Sequence, residues 1–141
     1  MKMHRIIDEL KHFEGFSSTA YRCPAGYWTI GYGRNIESSG PGITTEEASL
    51  LLRNDVTRSI DEVCRAFPWV QGLDERRAEI LTQLCFQLGL SRLQKFKKML
   101  AALETEDFDR AADELLDSRF AQQVPTRAKH LADVLRGPGN A

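Results

Sequence analysis

Long apolar runs are missing from this sequence. No stretch of eighteen residues is free of charged side chains, so we expect no segment that spans a membrane. The first residues are basic, but charges interrupt them too early for the apolar part of a signal peptide. We therefore expect synthesis in the cytoplasm, with release by another factor if the protein acts outside the cell.

An excess of charge of one sign is also missing. The chain has 19 basic and 20 acidic residues and a formal net charge of -1, so we expect no general attraction to nucleic acid or membranes. Cysteine is scarce, and Cys23, Cys64 and Cys85 are odd in number and irregularly spaced. This count fits neither a zinc site nor a full disulfide framework. We expect reduced thiols, no metal and no cofactor.

The N-terminal third predicts a helix followed by a small sheet. Residues 4–13 carry apolar side chains at helical spacing. Residues 19–23 and 27–31 are rich in β-forming side chains and flank a Pro-Ala-Gly turn, which predicts a hairpin, with room for a third short strand. Residues 35–43 have the composition of a loop. We expect Trp28 to be buried.

The remainder predicts helices. Thr44 and Glu47 form the sequence of a capping box, and the apolar period that follows predicts one long helix that Pro68 ends. Further helices with apolar stripes are predicted beyond residue 74. Their boundaries are marked by Gly89, by Ser91 with Gln94 as a cap, by Thr105, and by Pro125 and Gly137.

These elements predict a mainly helical α+β fold in a single domain, residues 1–141. A small β-containing lobe would occupy about residues 14–55, and a long helix would join it to a helical lobe at about 68–141. We expect the helix at 1–13 to pack on the helical lobe. Ligands commonly bind in the cleft between two lobes.

Glu14, Cys23 and Thr29 form the candidate catalytic set. Glu14 ends the first predicted helix, where the helix dipole disfavours a negative charge and favours a carboxyl that can donate its proton. Cys23 and Thr29 have the same parity about the hairpin turn, so a regular hairpin puts both on one face. A bulge would break this parity. The alternative from spacing alone is that Glu14 is an ordinary solvated carboxylate.

The segment from Glu14 to Arg34 resembles the catalytic hairpin of the phage-type lysozymes, glycoside hydrolase family 24. That family has a glutamate, an acidic residue or cysteine nine positions later, and a threonine six positions beyond. Glu14, Cys23 and Thr29 have this spacing. The resemblance continues in order through residues 43–48, 84–89 and 118–129 and so covers nearly the whole chain.

The resemblance implies hydrolysis of the β-1,4 bonds of peptidoglycan by a muramidase, as in an endolysin that lyses a bacterial host. Glu14 would protonate the glycosidic oxygen and Thr29 would hold the attacking water. Cys23 would stand at the position of an aspartate that assists this water or stabilises the sugar cation. An acid and a water-activating group on opposite faces of the sugar correspond to hydrolysis with inversion of the anomeric configuration.

The resemblance also implies residues that support the catalytic site or bind the substrate. Arg127 would pair with Glu14, while Arg34 would pair with Asp55 across the lobes. The implied substrate contacts are Asn35, Phe86, Gln87 and Arg119, of which Arg119 would reach a peptide stem or a sugar. The solvated-cation reading stays open for Arg127, and Phe86 is equally compatible with the core.

The expected partner is the glycan strand of peptidoglycan, bound by a monomer without nucleic acid or membrane insertion. The protein would be made in the host cytoplasm and act on the wall after release. Two alternatives remain: a cell-wall-binding module of lysozyme fold that lost activity because Cys23 replaced a carboxylate, and a module that binds a protein partner. The presence of Glu14 and Thr29 argues against both.

Overall fold

The computed structural model describes residues 1–138. The chain divides into two units, Met1–Leu50 and the residues from Leu51 onward. The first helix, α1, spans Met3–Glu14 and ends at Gly15, whose N–H donates to the Lys11 carbonyl. Gly15 has a φ of 69°, a conformation that glycine adopts without strain. α1 belongs to the first unit, and its predicted packing on a helical lobe stays a prediction.

A three-stranded antiparallel sheet follows α1, with strand order β1-β2-β3. Its strands are β1 Ser17–Arg22, β2 Trp28–Gly31 and β3 Arg34–Asn35. β1 begins two residues before the prediction and ends before Cys23. The pairing register shifts between Ser17 and Tyr21, which is the signature of a bulge. Trp28 is 42% exposed, so the prediction of its burial is wrong; the Arg22 guanidinium covers its ring at 4.5 Å.

The capping box at residue 44 is confirmed. The Thr44 N–H donates to Glu47 Oε1 at 2.8 Å, and the Glu47 N–H donates to Thr44 Oγ1 at 3.1 Å. These reciprocal bonds satisfy two amides that the first turn of a helix leaves free. Helix α2 then spans Thr45–Ala66 and stops before Pro68, as predicted. Among the helices within residues 1–138, none is both long and apolar enough to cross a membrane.

Short helices make up the rest of the second unit. After a 3-10 turn at Pro68–Gly72 come α3 Glu75–Leu88, α4 Leu90–Leu93, α5 Lys97–Glu104, α6 Phe108–Leu116, α7 Arg119–Gln123 and α8 Pro125–Arg136. Apolar side chains from these six helices form one core with Val63 of α2, Phe67 and Val70. Its largest fully buried members are Val63, Ile80, Leu81, Leu84, Leu93, Met99, Leu103, Leu115, Leu131 and Leu135. The predicted cap at Ser91 is wrong, because Ser91 lies inside α4 and a new helix begins at Lys97.

Arg77 ties α3 to the end of α8. Its Nε donates to the Leu135 carbonyl at 2.6 Å and its Nη2 to the Arg136 carbonyl at 3.1 Å. The guanidinium also lies 3.4 Å from the centre of the Phe108 ring. A cation at the C-terminal end of a helix satisfies free carbonyls and complements the helix dipole.

We expect Arg77→Lys to lower the free energy of unfolding by about 2 kcal/mol, because an ammonium cannot span both carbonyls and the ring. Denaturant unfolding measures the change. Arg76→Lys is the matched control, since within residues 1–138 Arg76 bonds only Glu79 on the surface. This change should leave stability within about 0.5 kcal/mol of wild type. Equal effects of the two changes would contradict the role of Arg77.

Candidate active site

Cys23 and Thr29 lie on one face of the sheet, as their parity predicts. Tyr21 is the cross-strand partner of Thr29, and Cys23 lies two residues further along on the same side. The Cys23 N–H donates to the Tyr27 carbonyl at 2.9 Å, and the Gly26 N–H donates to the Cys23 carbonyl at 2.8 Å. The bulge leaves the parity intact because it lies before Tyr21, on the far side from the turn.

Hydrogen bonding lowers the pKa of the Cys23 thiol below its ordinary value. The largest contribution is a bond from the Tyr27 backbone to the sulfur; partial burial opposes it, and bonds from Ala25, the Thr29 hydroxyl and Gly26 add to it. Each of these bonds stabilises the thiolate. The fraction of reactive thiolate at neutral pH is therefore larger than for a free cysteine.

The Thr29 hydroxyl has two acceptors within reach and one proton to give. Thr29 is 3% exposed, and its Oγ1 donates to the Tyr27 carbonyl at 2.8 Å. Donation from the same hydroxyl toward the Cys23 sulfur is among the causes that lower the pKa of the thiol. Because a hydroxyl donates one proton at a time, the bond to the carbonyl is compatible with a neutral thiol and the bond to sulfur with a thiolate.

Glu14 ends α1 with an exposed side chain that lies against the turn between β2 and β3. A Cβ atom placed on Gly33 would stand 2.7 Å from Glu14 Oε2 and 3.0 Å from its Cδ. Gly33 also has a φ of 80°, which disfavours any side chain there. The carboxyl group therefore occupies space that only a glycine at position 33 leaves open.

Arg34 has a different partner from the predicted Asp55. Its guanidinium forms a two-pronged ion pair with Glu47, with Nη1–Oε1 and Nη2–Oε2 distances of 2.9 and 2.7 Å. Nη1 also donates to the Gly42 carbonyl at 3.0 Å. The Thr44 backbone N–H, followed by Arg34, holds the pKa of Glu47 below its usual range. Asp55 pairs instead with Arg58, at 2.9 Å within α2.

Asn35 lies in β3, opposite Thr29, and its amide is engaged by the following loop. Its Oδ1 accepts from the Glu37 N–H at 2.9 Å and its Nδ2 donates to Ser39 Oγ at 3.3 Å. The Glu37 carboxylate in turn accepts from the Trp28 N–H at 2.8 Å. These bonds give Asn35 a structural role in shaping the loop, and its predicted contact with substrate stays a prediction.

In the second unit, three of the predicted residues lie on α3 and α8. Phe86 and Gln87, near the C-terminal end of α3, are exposed, and Phe86 has 47% of its surface accessible. The reading of Phe86 as plain core is therefore wrong. Arg127, in the first turn of α8, donates to Gln83 Oε1 at 2.8 Å. Its predicted pairing with Glu14 stays a prediction.

Arg119 lines a cavity of about 660 Å3 among the helices of the second unit. Leu88, Phe96, Met99 and Phe120 supply its apolar lining. The charged side chains around it are Arg92, Lys95, Lys97, Lys98 and Arg119, against Glu114 and Asp117. Of these charged residues, only Arg119 was predicted from the sequence. The run Lys95-Phe-Lys-Lys98 was a signal for the others, but the net charge of -1 concealed a local excess of positive charge.

The chemistry available in the first unit is that of an acid and a base. An exposed carboxyl can give a proton to a leaving oxygen, and a thiolate of lowered pKa can accept one from water that a buried hydroxyl holds. Within residues 1–138, no cluster of three or more His, Cys, Asp or Glu side chains suited to a metal is found.

Comparison with known proteins gives a consistent picture. The phage lysozyme family model matches residues 11–132. Probable T4-type lysozyme 1 of Dictyostelium discoideum is 26% identical over 157 residues, with 92% of each chain covered. The pre-baseplate central spike protein Gp5 of Enterobacteria phage T4 is 30% identical over 92% of this chain and 27% of that protein. The endolysin of Acyrthosiphon pisum secondary endosymbiont phage 1 is 29% identical over 76% of this chain and 72% of that protein.

Proposed function

Because this chain belongs to the phage lysozyme family and is a glycoside hydrolase of the lysozyme type, we propose that it cleaves peptidoglycan with Glu14 as its general acid. The observation that carries this assignment is the placement of the Glu14 carboxyl against Gly33, in the same unit as the sheet face that bears Cys23 and Thr29. The exposed carboxyl is free to meet a glycosidic oxygen.

In the proposed reaction, Glu14 donates its proton to the glycosidic oxygen as the bond from that oxygen to the anomeric carbon breaks. A water molecule held by the Thr29 hydroxyl attacks the opposite face of the sugar. The Cys23 thiolate accepts the proton that this water loses. The product has inverted configuration, and exchange of one proton each with solvent restores both groups.

The residues proposed to bind substrate are those that the family resemblance implies. We assign Asn35 to the sugar side of the first unit, and the exposed Phe86 and Gln87 to contacts with the glycan. The cations around the cavity suit the carboxylates of a peptide stem, and Arg119 with its planar fork is the residue best shaped to bind one. Arg127 is proposed as a supporting residue.

The biological role proposed here is that of a phage or prophage endolysin, made in the host cytoplasm and acting on the wall after release. The similarity to a named endolysin supports this role. A lysozyme module that only binds the wall is the alternative, and the presence of the Glu14 carboxyl in the same unit as Thr29 argues against it, because binding alone requires no such acid.

The bond that is cleaved can be identified from the products. We expect digestion of purified peptidoglycan, followed by borohydride reduction, to convert N-acetylmuramic acid at the new reducing ends to its alditol. Mass spectrometry of the fragments measures this. Reduced N-acetylglucosamine would indicate a glucosaminidase, and new free amino groups an amidase or peptidase; either result contradicts the proposal. Mature wall incubated without enzyme is the control.

A further inference from the structure

The Arg34–Glu47 ion pair lies next to the glycine that contacts the proposed acid. β3 consists of Arg34 and Asn35 alone, and a two-residue strand has few ladder bonds to hold it. Gly33, immediately before it, has its backbone against the Glu14 carboxyl. Any movement of β3 along or away from the sheet therefore moves the surface on which that carboxyl rests.

The geometry of Arg34 restricts such movement. Its guanidinium bonds both oxygens of Glu47 and the Gly42 carbonyl, so it joins β3 to the loop and to the first turn of α2. Glu47 is itself held by the N–H of Thr44. A planar fork that engages a carboxylate at two points fixes direction as well as distance.

We propose that the Arg34–Glu47 pair positions Glu14 for catalysis, by fixing the Gly33 backbone against which its carboxyl lies. The inference rests on the proposed role of Glu14. Both side chains of the pair are 39% exposed, and an ion pair so accessible to water contributes little to folding stability. Displacement of a catalytic group by about 1 Å, in contrast, can cost about a hundredfold in rate. Rate and stability should therefore respond differently when the pair is broken.

The test compares Arg34→Gln, Arg34→Lys and Glu47→Gln with the control Arg65→Gln. Arg65 also forms an ion pair, with Asp61 at 3.0 Å, but its side chain is 80% exposed and the pair joins two residues of the same helix, α2. We expect Arg34→Gln and Glu47→Gln to lower kcat by about tenfold or more, with KM within about twofold and Tm within a few degrees of wild type. The kcat of Arg34→Lys should lie between those of Arg34→Gln and wild type, because an ammonium keeps the charge but cannot bond both carboxylate oxygens in a fixed geometry.

The double variant Arg34→Gln/Glu47→Gln should lose no more than either single variant, since the two residues act as one unit. If Arg34→Gln fails to fold, Glu47→Gln still decides the matter, because glutamine can keep the capping bond from Thr44. A wild-type kcat in Glu47→Gln, or a loss of kcat no larger than that of Arg65→Gln, overturns the inference.

Glu14→Gln separates this inference from the proposed function. If Glu14→Gln is inactive and the Arg34 and Glu47 variants turn over normally, only the positioning role fails. If Glu14→Gln remains active, the proposed function fails, and a loss of kcat in the Arg34 variants then has to act through another group, which also overturns the inference as stated.

Discussion

Replacement of Glu14 by glutamine is expected to reduce lytic activity by at least about a hundredfold while the protein stays folded. Glutamine has nearly the same shape, so it fits beside Gly33, but its amide has no acidic proton to give a leaving oxygen. Turbidity clearing of purified peptidoglycan measures the loss. Thermal unfolding and circular dichroism of the same preparation establish that the fold is retained.

Glu9→Gln is the matched control for this change. Glu9 also lies exposed on α1, so its replacement removes the same charge from the same helix. Its activity should stay within about twofold of wild type, as is usual for a surface change. Clearing at the wild-type rate by a folded Glu14→Gln protein would disprove the acid mechanism.

Cys23→Ala and Cys23→Ser are expected to lower activity by about a hundredfold, and Cys23→Asp to retain much of it. Alanine has no base, and a serine hydroxyl is far too weak an acid to ionise at neutral pH. An aspartate restores a group that is ionised. Initial clearing rates at one enzyme concentration compare the four proteins. Wild-type turnover by Cys23→Ala would show that Cys23 only fills space and that water held by Thr29 suffices.

The pH dependence follows from the state in which the sulfur works. A thiolate base is formed as pH rises through the pKa of Cys23, which its hydrogen bonds hold below the ordinary thiol value of about 8.5. Glu14 must keep its proton while the thiolate forms, so activity should depend on pH as a bell-shaped curve that reflects both groups. In Cys23→Asp the whole curve should lie at lower pH, because a carboxyl ionises near pH 4. Coincident profiles of the two proteins would contradict a thiolate base.

Alkylation gives an independent measurement on the same group. Iodoacetamide should inactivate the wild type and leave Cys23→Asp active, although that variant keeps Cys64 and Cys85. Burial, followed by the charge of Glu62, raises the pKa of the Cys85 thiol, which keeps it neutral and unreactive. Equal inactivation of both proteins would assign the effect to Cys64 or Cys85.

Local signals predicted much of the fold because they act over a few residues. The capping box of Thr44 and Glu47 needs only its own four residues, and α8 begins at Pro125 and is followed by Gly137 with a φ of 86°. The prediction that Cys23 and Thr29 share one face of the sheet used only the alternation of side chains along a strand. A bulge in the hairpin could have put Cys23 and Thr29 on opposite faces. Its position between Ser17 and Tyr21 leaves them on one face, and this position depends on the pairing of β1 with β2, which no local sequence signal indicates.

Ser91 shows where such signals fail. A serine followed by glutamine three residues later suits a cap, but Gly89 with a φ of 84° begins the next helix earlier. The apolar side chains of Leu93, Met99 and Leu100 are then buried from two short helices in place of one long one. Packing in the core outweighs a cap, which contributes about 1 kcal/mol.

The partner of Arg34 could not be read from the sequence because it depends on the path of the loop. Glu47 was already accounted for by its capping role, and nothing local indicates that the same carboxylate also accepts two bonds from a residue thirteen positions earlier. The cations around the cavity were missed for a related reason. Four of them lie within residues 92–98, but only the folded chain brings this segment beside Arg119.

Because its charges are unevenly placed but nearly cancel, the protein exerts an electrostatic attraction only over short distances. Its net charge of -1 provides no pull on an anionic wall from a distance, while the five cations and two anions around the cavity act locally. Mobile ions in physiological saline hide such a local field beyond about 8 Å. We therefore expect the protein to reach the wall by diffusion without electrostatic steering. The cations around the cavity would affect its orientation only at short range.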